Sequence, residues 1–231
     1  MKRYFSSFFR YFDSRILILY VIILVIMLSP YRGDVEVIRN VFGGVPLRGT
    51  LPEIPALGVL QWCLLICPPL FTAAYSYSLA KSGYAFSLYR LGRRRWWNGV
   101  CNTVVSEVVV YVLIGVLAIP FVCGDFKLYP LILLNFTVHL LFLSILMLSL
   151  FTVFKSMLPA VLIPIMMDAL SHILTVFHEN VSPYLIGTWG MTLRSDLFVN
   201  VNAFPFYPML IAQLVITILI AVFTPMFLYK D

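Results

Sequence analysis

The chain has 231 residues, of which 61% are hydrophobic and only 11% charged, against about 45–50% and about 25% in soluble domains. Its mean hydropathy is +0.97. A water-soluble fold of this size lacks the interior to hide so much apolar surface, which excludes a soluble enzyme, a disordered chain and a secreted disulfide scaffold. What is left is an all-α integral membrane protein. The formal charge of +6 comes from basic residues that flank apolar runs, so the expected partner of that charge is a membrane surface and not nucleic acid.

The lead 1–15 reads MKRYFSSFFRYFDSR. Phe5, Phe8, Phe9 and Phe12 recur at i, i+3, i+4 and i+7, which places them on one face of a helix, while Arg3, Ser7 and Arg10 fall opposite. This is the pattern of an interfacial helix, with aromatics at the acyl boundary and arginines among anionic headgroups. It is not followed by a signal-peptidase-like site. A six-helix bundle over 16–229 is expected to follow, the whole of 1–231 forming one transmembrane domain.

Six apolar runs mark the spans, at about 16–30, 56–79, 99–122, 129–153, 156–177 and 206–229. None alternates with period two, so a barrel is excluded. The second run carries Cys63 and Cys67 on one face, followed by Pro68 and Pro69. Without a third ligand this reads as a kink and not a metal site. Cys101 and Cys123 also lie in or beside apolar runs, which argues against a disulfide framework.

Between spans two and three the sequence reads AKSGYAFSLYRLGRRRWWNG. Ser82 can cap a helix start and Gly92 suits a left-handed position after its end. The spacing predicts a short helix over 83–91, with Tyr84, Leu88 and Leu91 on one face. Phe86, Tyr89 and Arg90 complete it. Arg93, Arg94 and Arg95 are then placed at the headgroups, and Trp96 and Trp97 at the membrane interface. The exposed aromatic-apolar face of so short a helix is what a groove on a soluble partner grips; the plainer alternative is a positive-inside loop with an aromatic belt.

Four ionisable residues lie inside spans: Glu107, His139, Asp168 and His172. Each is costly in hydrocarbon unless paired. Asp168 and His172 are i, i+4 on one helix face and can hydrogen-bond each other. Glu107, Asp168 and His172 are candidates for a translocation path; the alternative is polar glue between helices, equally open for Glu107 and the favoured reading for Asp168 and His172. His139 reads as a buried hydrogen-bonded residue. The segment 178–205 is too apolar for a plain hairpin, since Val181, Tyr184, Leu185, Ile186, Trp189, Met191, Leu197 and Phe198 are apolar, broken by Pro183, Gly187 and Gly190. One or two short helices re-entering the outer leaflet suit it.

Basic residues set the sidedness. Lys2, Arg3, Arg10, Arg15, Lys81, Arg90, Arg93, Arg94, Arg95, Lys155 and Lys230 fall on one side. Arg32, Arg39, Arg48, Lys127 and Arg194 fall on the other. The richer side is cytoplasmic, which places both termini inside. There is no zinc-protease motif, no hydrolase elbow, no phosphate-binding loop and no potassium filter in the chain. No catalytic residue and no metal site are therefore expected.

The amphipathic lead, six spans, a short cytoplasmic helix after span two and an apolar outer segment before span six resemble the second-type ATP-binding-cassette exporter permeases. The stretch Leu88-Tyr89-Arg90-Leu91-Gly92-Arg93-Arg94-Arg95-Trp96-Trp97 is similar to the coupling region of small Gram-positive permeases of that family, with Arg93 where these often carry Ser or Ala. The resemblance implies a hetero-oligomer in a bacterial plasma membrane, made of two permease chains, the same or homologous, and a separate ATPase dimer that holds ATP and Mg; this chain itself would hold no cofactor. Tyr84, Phe86, Leu88, Tyr89, Arg90, Leu91 and Gly92 would couple to the ATPase. The cargo class it implies is an amphipathic peptide, in export of or immunity to bacteriocins. The rival reading is an ion-coupled secondary carrier using Glu107, Asp168 and His172.

Overall fold

In a bilayer core no water is present to satisfy backbone N–H and C=O groups, so a chain with six long apolar runs must hydrogen-bond within each run as a helix. The computed structural model, which describes residues 14–45, 55–82, 92–199 and 202–227, has this form. Its helices are α1 (Ser14–Leu28, continued by the 3-10 turn Ser29–Tyr31), α2 (Val37–Phe42), α3 (Pro55–Ser82), α4 (Arg93–Val122), α5 (Pro130–Phe154), α6 (Met157–Phe177) and α7 (Phe206–Phe227). All but α2 are long and apolar enough to cross a membrane. The protein is a multi-pass, all-helical membrane protein with six such spans.

Local chemistry sets the helix limits. Pro130 opens α5, where its missing N–H costs nothing. Lys155 closes it with φ 56, donating its backbone N–H to Phe151 O. Ser156 is extended and starts α6. Asp196 Oδ1 accepts the backbone N–H of Phe206 at 3.0 Å, which satisfies one of the donors that the first turn of α7 leaves open.

The helix α5 is the axis of the bundle. It packs against α2, α3, α4, α6 and α7, and 67% of its spanning window is buried, against 22% for α1 and 11% for α7. Hydrophobicity cannot decide this order, because lipid tails are as apolar as leucine. Like its neighbours α3 and α6, α5 carries polar groups on its buried face, here Asn135, His139 and Ser144. The peripheral helices show mostly aliphatic side chains outward, such as Ile18, Ile22 and Ile26 on α1 and Ile211, Val215 and Ile218 on α7.

At one end of the bundle three connections knit together. Gly33 N donates to Cys123 O at 3.0 Å, Lys127 N to Val35 O at 2.9 Å and Leu193 N to Gly43 O at 2.9 Å. The side chain of Glu36 takes the Tyr129 hydroxyl and faces Lys127. No apolar run falls between 30 and 56, yet the structure places α2 there. Asp34 organises its start, accepting Glu36 N at 2.8 Å and Asn40 Nδ2 at 2.7 Å. Its buried residues Val37, Ile38, Val41 and Phe42 follow a helical period that was legible in the sequence.

Two expectations are corrected. The third span begins at Arg93 and not near Gly99, so the arginines and tryptophans belong to α4 itself. Trp96 and Trp97 are buried within the bundle, and Trp97 Nε1 donates to Ala221 O of α7 at 2.7 Å. An indole facing another helix finds packing and an acceptor together. The 178–205 segment contains no α-helix but three 3-10 turns, Glu179–Tyr184, Ile186–Thr188 and Thr192–Arg194, followed by an isolated bridge between Ser195 and Phe204. Its proline and glycines are too closely spaced for a longer α run. The lead with Phe5, Phe8, Phe9 and Phe12, and the coupling residues Tyr84, Phe86, Leu88, Tyr89, Arg90 and Leu91, lie outside the described residues. Gly92 is described, with φ 71 just before α4.

A candidate functional site beneath the connecting segment

The most concentrated polar chemistry lies where the 3-10 segment meets α3, α5, α6 and α7. Asp168, on α6, has no exposed surface. Its Oδ2 accepts Trp62 Nε1 of α3 at 3.0 Å and faces His139 Nε2 of α5 at 2.9 Å. On the other side of that imidazole, Gln213 Nε2 of α7 stands 3.3 Å from Nδ1. The Asp168 carboxyl group thus joins α3 and α5 to α6, and Gln213 of α7 meets the same imidazole.

One turn along α6, His172 is reached by Arg194 from the 3-10 segment. A guanidinium can only donate, so His172 Nδ1 accepts from Nη2. Arg194 Nη1 donates to Thr175 Oγ1, and Nε to Val45 O at 2.7 Å. Arg194 is only 1% exposed. A buried cation costs several kcal/mol unless its donors are met, and here each nitrogen of the fork has an acceptor. On the opposite face of the segment, Asn135 Nδ2 of α5 bonds Trp189 O at 2.9 Å, Gly190 O at 3.1 Å and Thr192 Oγ1 at 3.0 Å.

Two glycines let the segment come so close. A Cβ on Gly190 would lie 2.3 Å from His139 Cγ and Cδ2, and one on Gly187 would lie 2.8 Å from the backbone of Asp168. The segment is thus seated directly on the histidine and the helix that carries the carboxylate. Asp168 Oδ1 and Gln213 Oε1 are buried and accept no hydrogen bond among the described residues.

Glu107 belongs to a different cluster. It lies on α4, 1% exposed, and its Oε1 accepts the Ser76 hydroxyl of α3. Close by along α3, Thr72 Oγ1 stands 2.5 Å from Tyr111 OH, and Tyr20 OH of α1 donates to Tyr111 O at 3.3 Å. Trp62 and Ser76 are four turns apart on α3, about 21 Å at ~1.5 Å per residue. The buried residues Leu65, Ile66 and Leu70 occupy the interval on that helix.

Of the three path candidates, then, Asp168 and His172 share one network and Glu107 stands in another. The expected pairing of Asp168 with His172 is replaced in the foreground by His139 and Trp62 for the first and Arg194 for the second. Sequence reasoning missed Arg194, counted only as a basic residue of an outer loop. It also missed Asn135, Trp62 and Gln213, which carry no charge. Their one signal was a polar or amphipathic group inside an apolar run. Among the described residues no three His, Cys, Asp or Glu side chains are grouped to hold a metal ion. No family model, curated protein or solved structure matches the chain.

Proposed function

We propose that this chain is the membrane-spanning permease subunit of an ATP-driven exporter, working with separate ATPase subunits. The cargo class is an amphipathic or antimicrobial peptide moved out of the cell or membrane. The observation that carries the reading is the apolar segment between the fifth and sixth spans, seated back on the bundle end by Arg194, Asn135 and two glycine contacts. Such a seated segment suits a lid over an exit, and a simple hairpin has no need of it. The basic-aromatic stretch through Gly92 would meet the ATPase from the opposite end of the bundle.

Co-expression with a cognate ATPase is expected to give a complex that co-purifies in detergent and hydrolyses ATP faster with cargo. Deleting residues 84–91 should abolish that stimulation while leaving membrane insertion intact. A chain that is well inserted but binds no ATPase would overturn the reading.

The second reading, an ion-coupled carrier, draws on the buried Asp168–His139 pair. It predicts uptake driven by a proton gradient in ATP-free vesicles, lost in Asp168→Asn. The apolar interval between the Asp168 and Glu107 clusters weighs against it, because a proton relay needs contiguous polar groups.

A further inference from the structure

At the end of the bundle away from the 3-10 segment, α4 and α7 diverge around a crevice of about 490 Å³ lined by Arg94, Trp97, Asn98, Cys101 and Asn102 of α4 and by Ala221, Val222 and Pro225 of α7. Arg94, Asn98 and Asn102 follow one another at i, i+4 and i+8, so they form one stripe along α4. All three are exposed. Their side chains make no hydrogen bond or ion pair with another described residue; the pairs Lys127–Glu36 and His139–Asp168 lie elsewhere in the molecule. Trp97 holds the floor of the crevice through its bond to Ala221 O.

Depth identifies the surroundings. With 30 residues, α4 is about 45 Å long, while the hydrocarbon core is about 30 Å thick. About ten residues must therefore stand in headgroup layers. The first ten of α4, from Arg93 to Asn102, hold its arginines and both its asparagines, so the excess length is at this end. Below them the outward face turns apolar at Val105 and Val109.

We propose that this crevice binds the phosphate headgroup of an anionic phospholipid, with one acyl chain running down the outer face of α4. Arg94 supplies the charge, and the amides of Asn98 and Asn102 donate to phosphate and glycerol oxygens. A basic pocket between spanning helices at headgroup depth is suited to this ligand. A second copy of the chain is a poorer occupant, since a two-fold axis here would set Arg94 and Arg95 against their own copies. The proposal depends on the spans and not on any transport activity.

The test is native mass spectrometry of the full chain, purified with phosphatidylglycerol and phosphatidylcholine present in equal amounts. Phosphatidylglycerol should be retained preferentially. Arg94→Gln should lower that retention about fivefold, the effect of one basic side chain near an anionic lipid. Arg94→Lys should retain most of it, and Asn98→Leu, which keeps the charge but fills the crevice, should also reduce it. Arg32→Gln at the opposite end should change nothing. Equal retention of the two lipids, an equal loss in Arg32→Gln, or displacement of the lipid by millimolar inorganic phosphate would overturn the proposal. So would efficient disulfide linking of two chains through Asn98→Cys in membranes, which would make this face a contact between copies.

Discussion

Asp168 and Arg194 are a carboxylate and a guanidinium that the chain keeps out of water, and each is matched by partners from other elements. Removing the carboxylate leaves Trp62 Nε1 without its acceptor and His139 Nε2 without its partner. Asp168→Ala should therefore lower stability by ~3 kcal/mol, while Asp168→Asn keeps an acceptor oxygen and should cost ~1 kcal/mol. Thermal unfolding of the detergent-solubilised protein checks both. If the two variants were equally damaging, the charge itself and not the hydrogen bonds would be what the site needs. Of this network, Asp168, His139 and His172 were legible in the sequence because ionisable residues stand out in apolar runs. Trp62, Asn135 and Gln213 were not, because an uncharged polar side chain in a span does not reveal which neighbour it meets.

Among the elements, the 178–195 segment is notable for how closely its backbone approaches α5 and α6. The space between its backbone and α5 and α6 admits no side chain at positions 187 and 190. Gly190→Ala should push the segment off His139 at a cost of ~1–3 kcal/mol. The measurement is proteolysis of the segment in membranes, which should become faster in the variant while the spans remain protected. Unchanged protection would mean that the glycine contact does not hold the segment down. The sequence signalled that this stretch was too apolar for an ordinary loop. It did not signal 3-10 turns, since these result from fitting Pro183 and the two glycines against helices whose positions are set by distant residues.

For the molecule as a whole, alternation of six spans puts the 29–45, 123–129 and 178–206 connections at one end, and backbone hydrogen bonds join them there. We propose, from the distribution of basic residues, that this end faces the outside. In a chain with its native cysteines replaced, Asn180→Cys should react with an impermeant maleimide in intact cells, and Ser156→Cys only after permeabilisation. The reverse pattern would invert the topology and remove the coupling stretch from the reach of a cytoplasmic ATPase. The place of α5 at the centre was not readable from hydropathy. All six runs are apolar enough for lipid, and buried polar side chains occur on α3, α4, α6 and α7 as well as on α5, so they do not single out the central helix either.

The sequence alone determined the solvent and the helical form of the six spans. A chain this apolar must lie in a bilayer, and in a bilayer its backbone must be helical, whatever its neighbours are. Tertiary structure alone decided which polar groups meet. A pairing such as Arg194 with His172 and Val45, or Asp168 with Trp62 and His139, depends on how helices far apart in the chain are set side by side. Between apolar surfaces that choice is made by a few hydrogen bonds and close glycine contacts, which leave almost no trace in local composition.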